Sequence, residues 1–408
     1  MPERDQSLRA LLEDGAASGA FPGGVLVYGR PAAGQAEGFK AGFEGLTRHM
    51  VRVSADTAYD LASLTKVLAT ATLAMIAADR GLLALDGSLS ELGLKPPEDL
   101  SALTISDLLT HQSGLPAWLP YHVDLELSDK ERLIEAILTE RPLFPIGRRT
   151  LYSDLNFMLL GVILERLFGS SIAELFEGLV AAPLGLKFTG FYGGRFSPAP
   201  TEDGPRIGGP LDWPGAPVLG PVPTGRVHDD NAAALGGAAG HAGLFGTAPE
   251  VFKIIRAWAK SLKGDSSETR GEAAFGQGQE AAFGQDKKAA PGRGAPSQKP
   301  RALIGQKTIE SFLAVKPSQE DRGRAAGFDL GLGAMEGAVG HLGYTGGTLW
   351  WDPKKDLALV FLCNRVHPTA RNSKMPQFRE RLYEALGWAE DKAQAAEAPP
   401  LARSLRPI

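Results

Sequence analysis

Tyr59-Asp-Leu-Ala-Ser63-Leu-Thr-Lys66-Val-Leu-Ala-Thr-Ala-Thr72 is the stretch on which the reading of this chain turns. From Ser63 onward, Leu64, Val67, Leu68, Ala71, Leu73, Met75 and Ile76 predict a helix that is apolar nearly all round, with Gly81 as its stop. Such a helix has to be buried. Ser63 and Lys66, three residues apart at its start, share one face, with Cβ atoms about 5–6 Å apart. A serine alcohol is a poor nucleophile until a base takes its proton. An apolar helix and the positive end of its dipole both disfavour an ammonium, so Lys66 is expected as a desolvated amine able to serve as that base. The unpaired N–H groups of a helix start, that of Ser63 among them, can face a developing oxyanion. Ser-x-x-Lys alone fits a capped helix with a solvated lysine equally well, so the weight rests on the rest of the chain.

Working outward, Leu8, Leu11 and Leu12 predict an N-terminal helix, with a break over 15–24 and strands at 25–28 and 36–43. Residues 100–250 read as helices at 106–111, 128–139, 154–168 and 247–262, separated by Pro/Gly-rich segments such as 204–223. A helix at 307–315, strands at 325–333, 340–351 and 356–363, and a terminal helix at 377–386 follow. Neither end supplies enough strands for a stable sheet. The expected fold is therefore α/β (α+β): an antiparallel sheet flanked by helices, built from residues 1–62 and 303–390 together, with a mostly helical subdomain at 63–262. Residues 263–302 are Gly/Ala/Gln-rich and nearly duplicate Glu272-Ala-Ala-Phe-Gly-Gln277 at 280–285, so they read as a disordered insertion, and 391–408 as a flexible tail.

The 408 residues are 43% hydrophobic and 22% charged, enough for a large core, and a net charge of -4 without a basic run argues against nucleic acid. Cys363, the single cysteine, ends an apolar run and is expected to be buried; no intrachain disulfide is possible. The N-terminus lacks a secretory pattern, which predicts a cytoplasmic protein, and no run of about 18 apolar residues predicts a membrane span.

Three further segments follow in order: Leu108-Leu-Thr-His111-Gln-Ser-Gly-Leu-Pro116, Leu151-Tyr-Ser-Asp154-Leu-Asn-Phe-Met-Leu-Leu-Gly161 and Gly340-His-Leu-Gly-Tyr-Thr-Gly-Gly-Thr-Leu-Trp-Trp-Asp352. With the Ser63 segment they resemble the serine β-lactamase and penicillin-binding-protein superfamily, especially its class C-like branch of esterases, D-aminopeptidases and D,D-peptidases. The resemblance covers nearly the whole chain outside the insertion. It implies a β-lactamase/transpeptidase-like fold, acylation at Ser63 with Lys66 as partner, a proton-shuttling phenol at Tyr152, and no cofactor. Ser153-Asp154 also reads as an N-cap. His341-Leu-Gly343 stands where the family usually carries Lys-Thr-Gly; Gly343 would let substrate lie against the strand, and the N–H of Tyr344 would be the second oxyanion donor. Asp154 replaces the usual Asn and His341 a fixed cation, so hydrolysis of other esters and amides is expected ahead of antibiotics.

Residues 227–245 resemble the corresponding loop of bacterial N-acetylmuramoyl-alanine amidases in the superfamily. His228, Asp229 and Asp230 would line the cleft or hold a metal, although their spacing is not that of a zinc site, and no metal is expected. His241 is placed near the cleft, and His111 reads as a structural hydrogen-bonding residue. The expected activity is that of a serine hydrolase acting on an ester or amide of a small molecule, peptide or glycopeptide. The alternatives are a cytoplasmic N-acetylmuramoyl-alanine amidase of cell-wall recycling, a binding protein that lost catalysis, and a metal-dependent hydrolase using His228 and the two aspartates.

Overall fold

The computed structural model describes residues 2–46, 50–124, 130–192, 197–209, 217–265, 302–315, 324–331 and 335–387. Of the expected insertion 263–302, residues 266–301 lie outside the described residues, as does the whole expected tail 391–408.

Its centre is the apolar run Leu357–Cys363, here β7, whose alternate residues enter two different cores. Ala358, Val360 and Leu362 face one way with Val25, Val27, Leu349 and Trp351; Leu359, Phe361 and Cys363 face the other with Leu26 and Trp350. A strand covered on both faces has no polar side to show, which is why it reads as an unbroken hydrophobic run. β1 (Gly23–Arg30) pairs antiparallel with β7 on one side and with β2 (Gln35–Gly42) on the other. Across β7 follow β6 (Thr348–Asp352), β5 (Val339–Leu342), β4 (Phe328–Leu330) and β3 (Arg324–Ala325). The order β2-β1-β7-β6-β5-β4-β3 makes one seven-stranded antiparallel sheet from both parts of the chain, as the sequence predicts. β2 closes it with a largely exposed face on which only Phe39 is buried, and its charges suit an edge.

Helix α1 (Pro2–Ala17), with Leu8, Leu11 and Leu12, and the terminal helix α5 (Met375–Ala385), with Phe378 and Leu382, cover the second face. There Phe21, Phe361 and Phe378 meet with ring centroids 4.8–5.2 Å apart. On the first face lie α4 (Ala248–Leu262), whose Trp258 packs edge-on to Phe328 at 5.5 Å, and α2 (residues 64–79). Within α2, Lys66–Ala71 is wound as a π-helix before Thr72–Asp79 continues as α-helix; the regular helix expected here is underwound at its start. Helix α3 (Asp154–Phe168) packs behind α2 and is buried from Leu155 through Leu164.

Two expectations change. Residues 340–351 are not one strand but β5 and β6 joined by a turn over 343–347. Gly346 permits that turn, because its φ is +119° and a Cβ there would sit 2.6 Å from Cys363 Sγ. The segment between α2 and α4 also contains short strands, which helix periodicity does not reveal: Gly190–Phe191 and Leu244–Gly246 form one small sheet with Tyr59–Asp60, which precedes α2, and Arg206–Ile207 with Val218–Leu219 forms a ribbon. Cys363 is buried, and burial pushes its thiol up to about 12. Among the described residues no single helix is long and apolar enough to cross a membrane.

Candidate active site

The elbow before α2 is held by one carboxylate. Asp60 Oδ1 accepts the Ala62 N–H (2.8 Å), its Oδ2 accepts the His228 N–H (2.7 Å), and its carbonyl accepts the Thr345 hydroxyl (2.7 Å). Burial pushes the Asp60 pKa up against these hydrogen bonds. Ala62 adopts φ +45°, a left-handed conformation uncommon without glycine, immediately before Ser63. The Leu61 N–H is tied to the Leu244 carbonyl, and the Leu244 N–H to Thr65 Oγ1, so the small sheet clamps the elbow from below. From the other side comes the turn after β5: a Cβ on Gly343 would lie 2.9 Å from the Leu61 carbonyl. The turn that carries Tyr344 is thereby seated on the residues leading into Ser63, although the Gly343 N–H is spent inside the turn on the Gly347 carbonyl.

Lys66 is completely buried. Its Nζ lies 3.1 Å from Ser63 Oγ, 3.0 Å from the His241 carbonyl, 2.7 Å from Asp154 Oδ1 and 5.0 Å from the centre of the Tyr152 ring. This overturns one expectation. Asp154, standing where the motif usually has Asn, contacts Lys66, and Lys66 is not a free amine: burial disfavours its charge, but the Asp154 carboxylate outweighs burial and holds the pKa above lysine's ordinary value. A helix-dipole and desolvation argument fails when a counter-ion sits in contact, because Coulomb attraction between touching charges grows in a low-dielectric site. The Tyr152 phenol is pushed up by burial in spite of Lys66. Ser153 does precede α3, but its Oγ donates to the Pro116 carbonyl (2.6 Å) and makes no cap bond.

Around Tyr152 stand, besides Lys66, three further cationic or potentially cationic side chains. His111 is buried with φ +59°; its Nδ1 accepts the Ser153 N–H (2.9 Å) and its ring lies 4.6 Å from that of Tyr152. That is the structural hydrogen-bonding part expected of it, and it fixes the ring proton on Nε2. His341 Nδ1 bonds to the Leu342 carbonyl (2.8 Å) and its ring lies 5.8 Å from Tyr152. The Arg324 guanidinium, 2.6 Å from Asp329, covers the Tyr152 ring at 4.6 Å. Burial holds His111 well below its ordinary pKa and lowers His341 to about 4. His341 thus contributes stability that is present above an unfolded-state pKa near 6.5 and lost as pH falls toward about 4. Its ring ¹⁵N shifts should report one neutral tautomer from pH 7 down to about 4, while a transition near 6.5 would contradict the burial argument.

The polar residues at 228–230 do not converge. His228 Nε2 contacts Glu202 (2.9 Å), Asp229 caps the helix Asp230–Ala234 and contacts His241 Nε2 (2.9 Å), and Asp230 pairs bidentately with Arg206 (2.5 and 2.6 Å). Their three directions leave no shared cation cage, and no group of three His, Cys, Asp or Glu among the described residues could hold a metal ion. Asp229 lies below the usual carboxylate range: burial opposes this, and the His241 ring overcomes it. The His228 ring rests 5.6 Å from that of Tyr344.

His241 is carried to Lys66 by a contact of two glycines. Gly161 on α3 and Gly240 touch backbone to backbone; a Cβ on Gly240 would lie 2.0 Å from the Phe157 carbonyl, and one on Gly161 2.9 Å from Gly240 Cα. Gly240→Ala should lower stability by about 1–3 kcal/mol through overpacking, measured by denaturant unfolding, whereas an unchanged midpoint would mean the segment can lift away freely. Sequence reasoning placed Ser63, Lys66, Tyr152 and His341 in one neighbourhood and missed Arg324, Glu202 and Arg206. The first stands at a short edge strand, Glu202 in a Pro-rich loop and Arg206 on a two-residue ribbon strand, where neither periodicity nor motif marks a residue.

The fold and this neighbourhood define a hydrolase of the β-lactamase type. The family model "Beta-lactamase" matches residues 8–383, and the chain belongs to that family. It is 29% identical to the N-acetylmuramyl-L-alanine amidase of Bacillus subtilis (strain 168) over 393 residues, covering 88% of this chain and 80% of that one. It is 28% identical to a protein of Escherichia coli (strain K12) named "Putative D-alanyl-D-alanine carboxypeptidase", covering 86% and 80%. Among solved structures, EstCE1, a hydrolase with promiscuous acyltransferase activity, superposes with a TM-score of 0.66 at 19% identity, covering 93% of this chain and 98% of that one.

Proposed function

We propose that this protein is a serine hydrolase that cleaves an ester or amide through an acyl-enzyme on Ser63. The observation that carries the reading is the contact of Ser63 Oγ with the fully buried Lys66 Nζ at 3.1 Å, with the centre of the Tyr152 ring 5.0 Å from the same nitrogen. Ser63 Oγ attacks the carbonyl carbon, its proton moves through Lys66 and Tyr152 to the leaving atom, and water then releases the acyl group. The N–H groups of Ser63 and Tyr344 are the assigned oxyanion donors, supported by the docking of the 343–347 turn on the elbow. With His341 neutral at pH 7, nothing on that strand offers the fixed cation that a substrate carboxylate would seek. His228 and Asp229 are assigned to the cleft wall, with His241 behind it.

A second reading, a cytoplasmic N-acetylmuramoyl-alanine amidase of cell-wall recycling, is favoured by the similarity to the Bacillus subtilis amidase along 88% of the chain. It shares the chemistry and differs in the acyl and leaving groups.

Incubation with a fluorophosphonate, then peptide mass spectrometry, should find added mass on Ser63. A nitrophenyl ester and an N-acetylmuramoyl-L-alanine amide then separate the two readings by which is turned over. A folded protein with neither adduct nor turnover would sink both. EDTA should leave turnover unchanged, and a loss reversed by added metal would favour the metal-dependent alternative.

A further inference from the structure

The groups facing Lys66 come from every element packed on it. Its own helix start offers Ser63; the entry to α3 offers Tyr152 and Asp154; the 238–244 segment offers the His241 carbonyl, with Asp229 behind the His241 ring. Farther out are His111, His341 on β5, and Arg324 on β3 with Asp329 on β4. An ammonium has three protons, a neutral amine two and a lone pair. The His241 carbonyl accepts one N–H bond, and the Asp154 carboxylate, in ionic contact at 2.7 Å, can only accept, so in either state both draw on the Nζ protons. What remains, a proton or a lone pair, faces Ser63 and Tyr152.

At neutral pH the phenol and the ammonium both hold their protons. The His111 Nδ1 lone pair is taken by the Ser153 N–H, and His341 stands beyond the Tyr152 ring. The acceptor left in contact with the chain is the Asp154 carboxylate, one nitrogen away from Ser63.

Resting on the serine-hydrolase reading above, we propose that Asp154 is the proton sink for acylation, acting through Lys66. As Ser63 Oγ bonds to the substrate carbonyl carbon, its proton passes to Lys66 Nζ while another Nζ proton passes to Asp154 Oδ1. When the bond from carbon to the leaving oxygen or nitrogen breaks, the proton returns from Asp154 through Lys66 and Tyr152 to that atom. The ammonium–carboxylate pair is restored and no net charge is gained. Asp154 touches neither substrate nor Ser63, so it is a positioning residue for Lys66.

The test is the pH profile of kcat/KM for a nitrophenyl ester in wild type, Asp154→Asn and Asp154→Glu, with Ser63 labelling and thermal unfolding in parallel. Without the sink, Lys66 has to begin as the free amine. Asp154→Asn should therefore lose about 100-fold at pH 7, regain about tenfold per pH unit until Lys66 is neutral, and leave KM nearly unchanged. Asp154→Glu should recover part of the neutral-pH activity. An Asn variant that keeps the wild-type profile, or that loses the same factor at every pH, overturns the proposal while wild-type labelling keeps the serine reading intact. Absence of wild-type labelling overturns both. Should the Asn variant not fold, the wild-type Lys66 ¹⁵Nζ resonance decides: an ammonium at pH 7 supports the proposal, and a neutral amine overturns it.

Discussion

Ser63→Ala is expected to abolish ester turnover, by about 10⁵–10⁶-fold in kcat, and to remove the fluorophosphonate adduct, while the protein stays folded. The size follows from what the side chain does in the proposed reaction. Without Oγ there is no atom to carry the acyl group, and Lys66, Tyr152 and the oxyanion donors can only assist direct attack by water. Such remnants of a disabled site retain about 10³–10⁴-fold over the uncatalysed reaction. The structural cost is small, since Ser63 Oγ gives up one hydrogen bond with Lys66 at a partly exposed position. Unfolding should therefore shift by no more than about 1 kcal/mol. Turnover that survives with a normal unfolding curve would remove Ser63 from the chemistry.

Lys66→Met should be as damaging to activity and far more damaging to the fold. The ammonium sits at zero exposure between a carboxylate, a carbonyl and the Ser63 hydroxyl, 5.0 Å from the centre of the Tyr152 ring. Its removal strands Asp154, whose side chain is 16% exposed, without its counter-ion. Breaking a buried pair from one side typically costs 3–5 kcal/mol; the partial exposure of Asp154 puts the expectation near about 3 kcal/mol. The double variant Lys66→Met, Asp154→Leu should recover most of this while remaining inactive, because two apolar groups leave no charge uncompensated. Equilibrium unfolding of the four proteins at pH 7 closes the cycle. Additive losses would mean that the 2.7 Å contact carries little coupling.

How much of this is visible in the sequence depends on whether the information is local. The sheet was legible because β7 and β1 are apolar runs, and α3 because its residues 154–168 keep one pattern between a plain start and the left-handed Gly169. The meeting of Ser63, Lys66, Tyr152 and His341 was legible only through ordered motifs, since nothing in the spacing of 63, 152 and 341 states a distance. The ionisation of Lys66 was misjudged because its cause, Asp154, arrives from another helix. The same holds for His228, Asp229 and Asp230: three neighbours in sequence find Glu202, His241 and Arg206 in three directions, and only the tertiary structure assigns them. The turn that splits β5 from β6 was hidden because Tyr344-Thr-Gly-Gly347 sits between apolar residues that suit a continuous strand.

The pairing of β1 with β7 also sets a timetable for the protein's birth. More than three hundred residues separate the two strands, so at about 5–20 residues per second β1 leaves the ribosome tens of seconds before its partner exists. Until then one side of the β1–β2 hairpin is an unsatisfied edge, and the elbow at 60–63 lacks Thr345 and the turn that packs on it. The nascent chain consequently carries Ser63 in an unassembled setting for nearly the whole of synthesis, and its surroundings are completed only when the last strands arrive. Ribosome-stalled chains ending before residue 339 should not label with the fluorophosphonate, whereas chains with residues through 387 clear of the exit tunnel should.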